Sequence, residues 1–459
     1  MSEAVLDALL RPAEDRLVLL KGGTVLSMDD AVGDLATGDV LIDGDRIAEI
    51  APSISAPAAT VVDARDRIVL PGFCDPHIHC WEGALGRIIP ENVPQSTGDP
   101  IAGAPVSSRS YMHSAHRLFA PAFRPADIYA GTLLTLLNAL DGGITTVVDN
   151  MHNARSPEHS DAAVTAMFDA GLRGVHAVGQ PRSGGWAETF PADVYRLRDR
   201  YFSSEDQLCS MRLYAVGSDD LTGLFPIRKD LDLWFSFDSH IDQQPLQQWY
   251  EEGHFDGREA INHGNFLSPG QRQLVVDHGA QVNVCPRIES QFRYGRIPYT
   301  EWVEQGLRPG ISNDNPMTYG IDMFSEMRAL YLLQRVDAHR YGAESATLRR
   351  ILQSATQKGA DNCGVGAITG SLTPGKKADI VLLDTGRTQL FPRNNVLCTV
   401  VQAADIGCVD SVFVDGKPVK WGGRLVGVDF EQVRTLVQES HDHLVRTVGW
   451  PHDAVDFDD

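Results

Sequence analysis

The sequence predicts an α/β protein, a (β/α)₈ barrel joined to a small β-sandwich domain built from both chain ends. Three observations predict this fold. Strand-like and helical patterns alternate through residues 71–370, short runs rich in Val, Ile and Leu flank that region, and polar residues recur where the strands end. Repeated βα units favour a parallel sheet, and eight of them favour closure into a TIM barrel.

The flanking segments, residues 1–70 and 371–425, are expected to form the composite β-sandwich domain. The first contains runs such as LVLLKGGTVLSM and DVLIDGDRIAEI, and the second contains GSLTPGKKADIVLLD and DSVFVDGKPVKWGGR. Glycine dipeptides typical of hairpin turns interrupt these runs, at Asp43-Gly44, Asp415-Gly416 and Gly422-Gly423. Residues 426–459 are expected to form a C-terminal helix followed by an acidic tail.

The barrel is expected to occupy residues 71–370, with its opening strand at residues 68–70, directly before a Pro-Gly break. The other predicted strands are 143–149, 172–178, 211–216, 233–239, 259–262, 281–284 and 307–311. Helical patterns lie between them, as in residues 127–140 and 269–278. In such barrels the reacting groups lie at the carboxyl ends of the strands.

Composition excludes several classes of protein. The 40 basic residues face 61 acidic ones, for a net charge of −21, so a nucleic-acid or anionic-membrane surface is not expected. No run of 18 apolar residues predicts a transmembrane helix, and the first residues lack a signal-peptide pattern. We therefore expect a cytoplasmic protein. The seven cysteines are scattered without a CxxC pair, which argues against disulfides and a structural zinc knot.

Polar residues follow four of the predicted strands in a pattern that suits a metal ion. His77 and His79 follow the first strand, His240 the fifth, His263 the sixth and Asp314 the eighth. Residues i and i+2 of an extended segment point to the same side, so the first two imidazoles can hold one cation. A third nitrogen and a carboxylate oxygen suit Zn²⁺, and Fe²⁺ is compatible. A metal with an open position lowers the pKa of water from 15.7 toward roughly 7.

Each of these residues alone has an ordinary interpretation. A single HxH is weak evidence, and a strand-end histidine more often caps or hydrogen-bonds than binds a metal. The joint pattern is what favours a site. His152 is an intermediate case, since it lies at a strand end without a required role.

Five stretches resemble the amidohydrolase superfamily, and within it the branch of cytosine deaminases and s-triazine hydrolases. They are PGFCDPHIHCWEG, SHIDQQ, INHGNFLSPGQ, GISNDNP and GSLTPGKKADIVLLD. The resemblance implies one metal bound by His77, His79, His240 and Asp314. It implies that His263 faces water and substrate, and that Asp314 accepts the proton of the water. The predicted fourth strand, SMRLYAVGSDD, lacks the lysine of dinuclear relatives, so a mononuclear site is expected.

One position departs from the pattern of that branch. Deaminases there usually carry HxxE after the fifth strand, whereas this chain has His240-Ile241-Asp242-Gln243. The Gln243 amide can hydrogen-bond a ring nitrogen or the water, but it transfers no proton at neutral pH. Three explanations stay open: a leaving group such as chloride that needs little protonation, another proton donor, or lost activity. The alternative donors are Asp242, His263, Glu289, His152 and Asp314, of which His263 and Asp314 are favoured.

Residues around the barrel mouth are expected to bind the substrate. The predicted contacts are Trp81, His152, Arg287, Glu289 and Asn315. An apolar or stacking wall for a flat ring is also predicted from Phe292, Tyr294, Met317 and Tyr319. Arg293 is a further candidate contact for a substrate carboxylate or ring oxygen. The ordinary interpretation of each is packing or a salt bridge. The long insert at residues 84–125 is expected to be a lid or a subunit contact.

These observations predict a metal-dependent hydrolase that cleaves a C–N bond of a small heterocyclic or aromatic compound. The alternatives are a hydrolytic dehalogenase or an amide hydrolase on the same scaffold, and a non-catalytic binding barrel. A nucleic-acid deaminase is disfavoured, because the HxE and PCxxC arrangement is absent. The resemblance also implies a homodimer or higher homo-oligomer. The sequence leaves the substrate and the leaving group open.

Overall fold

A computed structural model describes residues 3–89, 111–182, 190–216, 221–239, 245–292, 294–342 and 346–450. The strands within these ranges are β1 (Leu17–Val25), β2 (Leu35–Asp43), β3 (Arg46–Ala51), β4 (Thr60–Asp63), β5 (Arg67–Pro71), β6 (Phe73–Ile78), β7 (Ile144–Met151), β8 (Arg173–Gly179), β9 (Cys209–Val216), β10 (Phe235–Asp238), β11 (Glu259–Asn262), β12 (Gln281–Val284), β13 (Gly310–Ile311), β14 (Ile380–Asp384), β15 (Val409–Val414), β16 (Lys417–Trp421) and β17 (Arg424–Leu425).

The α-helices of the same ranges are α1 (Glu3–Leu9), α2 (Pro125–Asp141), α3 (Pro157–Ala170), α4 (Ala192–Tyr201), α5 (Phe225–Asp230), α6 (Leu246–Glu251), α7 (Pro269–Asp277), α8 (Pro286–Gln291), α9 (Tyr299–Glu304), α10 (Met323–Tyr341), α11 (Leu348–Ala355), α12 (Gln357–Asn362), α13 (Val396–Cys398) and α14 (Phe430–Val448). A 3₁₀ helix at Cys80–Leu85 and a π-helical segment at Met112–Phe119 flank the candidate site. The predicted helix after residue 425 is confirmed as α14, whereas the acidic tail lies outside the described residues.

Strands β6 to β13 form an eight-stranded parallel sheet in sequence order. A parallel bridge between Ile78 and Asp314 joins the segment after β13 back to β6. The His77 carbonyl oxygen accepts from the Asp314 amide at 2.9 Å, and the His79 amide donates to the Asp314 carbonyl at 2.9 Å. The barrel therefore closes at the residues predicted to bind a metal, and the predicted fold class is confirmed.

The remaining strands form a nine-stranded sheet from both chain ends. Its order is β17-β16-β15-β14-β5-β1-β2-β3, with β4 paired to β1. Strand β14 pairs antiparallel with β5 from Arg67 to Pro71, which holds the two ends of the barrel region together. The predicted limits of the domains stay predictions. Within the described ranges, no helix combines the length and apolar character that crossing a membrane requires.

One strand prediction was wrong. Residues 68–70 belong to β5 of the nine-stranded sheet, and the first barrel strand is β6, which already contains His77. The chain changes sheets at Gly72, where a Cβ atom would lie 2.0 Å from Thr145 Oγ1, so only glycine fits. The last strand is also shorter than predicted, since β13 comprises Gly310–Ile311 alone.

Candidate active site

Three side chains meet where β6 ends and β13 closes the barrel. His77 Nε2 lies 3.3 Å and His79 Nε2 3.4 Å from Asp314 Oδ1. All three side chains are buried. Two imidazole nitrogens thus point at one carboxylate oxygen inside the mouth of the barrel, which is the donor set expected around a divalent ion.

Asn150, near the end of β7, contacts both imidazoles on their far side. His79 Nδ1–H donates to the Asn150 carbonyl oxygen at 2.9 Å, and the Asn150 side-chain amide contacts His77 Nδ1. Donation from Nδ1–H fixes the tautomer of His79 that leaves its Nε2 lone pair free for a metal. Sequence reasoning located Asn150 at a strand end but gave it no role, since a backbone carbonyl contact has no sequence signal.

The backbone at the strand ends is left-handed at two of the predicted catalytic residues. Asp314 has φ 67° and His263 has φ 57°. Non-glycine residues adopt this region at a cost of about 1 kcal/mol or more, and such residues cluster at functional sites. Behind this turn, Asp75 accepts from the His77 amide at 3.2 Å and from Asn313 Nδ2 at 2.6 Å, joining the first and last barrel strands.

His263 lies beside this group, at the end of β11. Its Nε2 is 3.6 Å from Asp314 Oδ2, and its Nδ1 is 3.1 Å from Glu289 Oε1. Burial opposes a charged imidazole, but the hydrogen bond to Glu289 and the Asp314 charge outweigh it and raise the pKa of His263 to about 9. A divalent ion beside Asp314 would act against this shift, because like charges repel.

The protonation states of the cluster favour metal binding. Burial lowers the pKa of His79, which keeps its imidazole neutral near pH 7. Burial raises the pKa of Asp314, but the neighbouring imidazoles of His77, His263 and His79 outweigh it and lower that pKa overall. Neutral imidazoles and an ionised carboxylate are the forms that bind a metal.

Two further groups of the cluster were missed by sequence reasoning. Asp238, the last residue of β10, lies 3.8 Å from His77 Nδ1 and accepts from Asn262 Nδ2 at 2.6 Å. Cys285, directly after β12, donates or accepts across 3.0 Å with Ser312 Oγ. Each belongs to a group whose ligand atoms lie within 4.8 Å of one another. Cys285 is grouped with His77, His263 and Asp314, and Asp238 is grouped with His77 and His79. The positions of Asp238 and Cys285 at strand ends were the one feature of the sequence that could have identified them as site residues.

Aromatic rings surround the cluster on two sides. His152 stacks on His79 with ring centroids 4.2 Å apart, and Trp81 lies 5.8 Å from His152. On the other side, Tyr294 lies 5.3 Å from His263 and 5.6 Å from Phe292. Burial and the neighbouring His79 lower the pKa of His152 well below its usual value, so this ring is neutral. The walls are suited to a flat, uncharged ring.

Three of the predicted substrate contacts retain buried polar atoms without a partner among the described residues. These are Trp81 Nε1, His152 Nδ1 and Asn315 Nδ2. A buried donor or acceptor left unpaired costs about 1–3 kcal/mol, so a ligand that satisfies it gains affinity. These atoms are therefore the available hydrogen-bonding groups near the cluster.

The two charged residues predicted to bind substrate are engaged within the protein. Arg287 donates to Glu326 Oε1 at 2.5 Å and to Asn313 Oδ1 at 2.9 Å, and its guanidinium lies over the Tyr319 ring. Glu289 is fully buried behind His263. Both side chains thus contact residues around the site, and their role as substrate contacts stays a prediction.

Several predicted site residues lie outside the described ranges. They are His240, Asp242, Gln243 and Arg293, together with residues 90–110 of the insert. The helical pattern at the end of that insert is confirmed by the π-helical segment, whose Tyr111 N-cap donates to buried Glu82 at 2.5 Å.

The described residues of the cluster fit a metal ion. His77 Nε2 is buried without a hydrogen-bond partner, and it lies beside a second imidazole and a carboxylate within one group of ligand atoms. An unpaired buried nitrogen of this kind is costly unless a ligand satisfies it. Imidazole and carboxylate ligands suit first-row divalent metals.

A (β/α)₈ barrel with an imidazole–carboxylate cluster at the carboxyl ends of its strands is an arrangement suited to metal-dependent hydrolysis. Residues 235–419 match the model of the amidohydrolase family. The predicted resemblance and the prediction of an amidohydrolase-type hydrolase are confirmed.

Curated relatives match along nearly the whole chain. A 5-methylthioadenosine/S-adenosylhomocysteine deaminase of Symbiobacterium thermophilum is 26% identical over 462 residues, covering 94% of this chain and 100% of the relative. A 5'-deoxyadenosine deaminase of Methanosarcina mazei is 24% identical over 455 residues, covering 94% and 99%. The similarity thus extends beyond the matched domain to both chain ends.

Solved structures share the fold. An adenosine deaminase from Xanthomonas campestris with bound zinc superposes with a TM-score of 0.81 at 20% identity, covering 94% of this chain and 98% of that one. Atrazine chlorohydrolase from Arthrobacter aurescens complexed with zinc gives a TM-score of 0.79 at 20% identity, covering 92% and 100%.

Proposed function

We propose that the protein hydrolyses a C–N bond of a small nitrogen heterocycle and releases ammonia or an amine. The observation that carries this proposal is the meeting of His77, His79 and Asp314 within 3.4 Å at the barrel mouth. The curated relatives are deaminases by name, which supports an amino group as the group that leaves.

The metal of this proposal is Zn²⁺, held by His77, His79, His240 and Asp314. Two of the solved neighbours contain zinc, which supports the choice of ion. Zinc bound there would lower the pKa of water toward about 7 and supply a hydroxide nucleophile at neutral pH.

The protein groups divide the remaining tasks. Asp314 accepts the proton of the attacking water, since its carboxylate lies beside both imidazoles and its Oδ2 faces His263. The raised pKa of His263, about 9, keeps a proton on both ring nitrogens near pH 7. His263 therefore donates a hydrogen bond through Nε2 to the heterocycle, where negative charge develops as the ring carbon is attacked. A preorganised donor of this kind contributes roughly 10²–10³ in rate.

The leaving amine must receive a proton, and Gln243 cannot supply it. We assign this transfer to Asp314 or His263, whose Oδ2 and Nε2 atoms lie 3.6 Å apart at the mouth. General acid help of this kind is worth about 10²–10⁴ in rate. Chloride needs no proton to leave, so a dehalogenase remains the competing function.

The heterocycle is proposed to lie between the two aromatic walls. Trp81, His152 and Asn315 are the proposed substrate contacts, because each has a buried polar atom free to pair with a ring nitrogen. Substrates that fit are aminopurine nucleosides, aminopyrimidines and amino-s-triazines, which all present an electron-poor carbon bearing an exocyclic nitrogen. The cytoplasmic location and the homo-oligomeric state stay predictions.

The test is product release from a panel of these compounds by zinc-loaded protein. Ammonia release from one aminoheterocycle class is expected, and it should be lost in His77→Ala. The exposed His339→Ala on α10 is the matched control and should retain the activity. Chloride release from chloro-s-triazines without ammonia release from any member would replace the deaminase proposal by the dehalogenase.

A further inference from the structure

Glu289 is a buried carboxyl whose position behind His263 has no part in the proposed chemistry so far. Its side chain is fully buried in α8, one turn after β12. Glu289 Oε1 lies 3.1 Å from His263 Nδ1 and accepts from the Cys285 amide at 2.9 Å. Oε2 has no hydrogen-bond partner among the described residues.

The basic groups near this carboxyl are otherwise occupied. The Arg287 guanidinium donates to Glu326, Asn313 and the Gly320 carbonyl. Within the described part of the chain, His263 is the one basic side chain within 4.0 Å of the Glu289 carboxyl. Besides accepting from the Cys285 amide, the Glu289 carboxyl therefore acts on its surroundings through its hydrogen bond with His263.

The geometry fixes which nitrogen of His263 faces the mouth. A carboxylate can only accept, so Nδ1 must carry the hydrogen, and Nε2 then points toward Asp314 Oδ2 at 3.6 Å. The ring is also held edge-on between His77 at 5.1 Å and Tyr294 at 5.3 Å. A ring flip would turn Nδ1 toward the mouth and lose the bond to Glu289.

We propose that Glu289 is a positioning residue that holds His263 with Nδ1–H directed inward and Nε2 directed at the reacting group. This inference rests on the proposed function for its catalytic meaning, but the orientation itself can be measured without turnover. Groups that orient a site imidazole typically change activity by 10–100-fold when removed.

The test compares Glu289→Met, which removes the acceptor at similar size, with Glu289→Gln, which keeps a carbonyl acceptor. Nitrogen NMR of histidine-labelled full-length protein, with and without added Zn²⁺, reports the tautomer, and the His263→Gln variant assigns the signal. We expect a proton on Nδ1 in the wild type and in Glu289→Gln, and its partial or complete loss in Glu289→Met. We also expect kcat to fall about 10–100-fold in Glu289→Met with KM changed less than about threefold.

Glu259→Gln is the matched control. Glu259 is an equally buried carboxyl that pairs with Arg228, and it lies at the start of β11, the strand that His263 follows. It should lower stability without changing the tautomer of His263. If Glu289→Met does not fold, Glu289→Ala removes the same acceptor with less volume. A wild-type signal in the Nε2–H form, or an unchanged tautomer after loss of the acceptor, overturns the proposal.

Failure of the proposed function gives a different result. A protein that shows the Nδ1–H tautomer and its loss in Glu289→Met, but hydrolyses no heterocycle, would retain the positioning role and lose the assigned reaction. A protein that hydrolyses an aminoheterocycle equally well with methionine at this position would retain the reaction and lose the positioning role.

Discussion

The carbonyl oxygen of Asn150 accepts a hydrogen bond from His79 Nδ1–H at 2.9 Å, and the side chain of the same residue contacts His77 Nδ1. One residue of β7 thereby orients both imidazoles of the HxH pair. Strand β7 pairs with β6, so this contact follows directly from the neighbouring positions of the first two barrel strands.

The Asn150 side chain should set the metal affinity of the site. Asn150→Ala removes the contact to His77 and frees its ring to rotate, so we expect zinc affinity to fall about 10–100-fold. Competition with a chromophoric chelator measures this directly. Asn138→Ala, at an exposed position of α2, is the matched control and should bind zinc as the wild type does. Equal affinities of both variants would show that His77 needs no orienting group.

Zinc should stabilise the folded protein through the same cluster. A ligand that binds only the folded state raises the unfolding free energy by about 2.7 kcal/mol at 100 times its Kd. Thermal unfolding with increasing zinc should therefore show a rising Tm in the wild type. Asp314→Asn removes a charged ligand and should largely abolish the rise, whereas the exposed His339→Ala should preserve it. A zinc-independent Tm in the wild type would contradict a site at this cluster.

The sequence was sufficient to predict the strand-end cluster, because both governing rules are local. The i, i+2 spacing of His77 and His79 places them on one side of extended chain, and strand ends of a parallel barrel meet at one mouth. The role of Asn150 was not predictable, since half of it comes from a backbone carbonyl. The burial of Glu289 behind His263 was not predictable from the sequence either, because a carboxyl two residues after Arg287 is typical of an exposed loop.

The error at the start of the barrel has a physical cause. Residues 68–70 and residues 73–78 are two apolar runs separated only by Pro71-Gly72, and hydrophobic pattern alone cannot assign them to different sheets. The assignment depends on tertiary pairing, of β5 with β14 and of β6 with β7. Such pairings join residues that lie far apart in sequence.

Low pH should destabilise the fold in part through Asp256, which lies three residues before the start of β11. Burial raises the pKa of this carboxyl, but hydrogen bonds from Arg258 and Arg228 outweigh it and lower the pKa from 3.8 to about 2. A depressed folded-state pKa gives stability that is present above the unfolded value and is lost as pH falls through the folded value. The window for this residue therefore runs from about pH 4 down to about pH 2.

Urea unfolding of the wild type and Asp256→Asn across that window measures the contribution. The wild type should be the more stable at about pH 5, and the difference should shrink as pH approaches about 2. The group is partly exposed, so the effect should also weaken at high salt. If the unfolding free energies of the two proteins differ by the same amount at every pH, the charge of Asp256 does not contribute to stability through Arg258 and Arg228.

The attachment of the barrel to the nine-stranded sheet should depend on Arg173 and Asp379. Arg173, at the start of β8, donates to Asp379 through Nε at 2.9 Å and Nη2 at 3.2 Å, and both side chains are buried. Arg173→Met leaves a buried carboxylate uncompensated, and we expect a loss of about 3–5 kcal/mol. Adding Asp379→Leu removes that charge, so the double variant should recover part of the loss. Arg65→Met, at an exposed pair with Asp63, should change the stability much less than Arg173→Met does. Denaturant unfolding of the four proteins checks this, and additive losses in the double variant would show that the pair does not couple the two sheets.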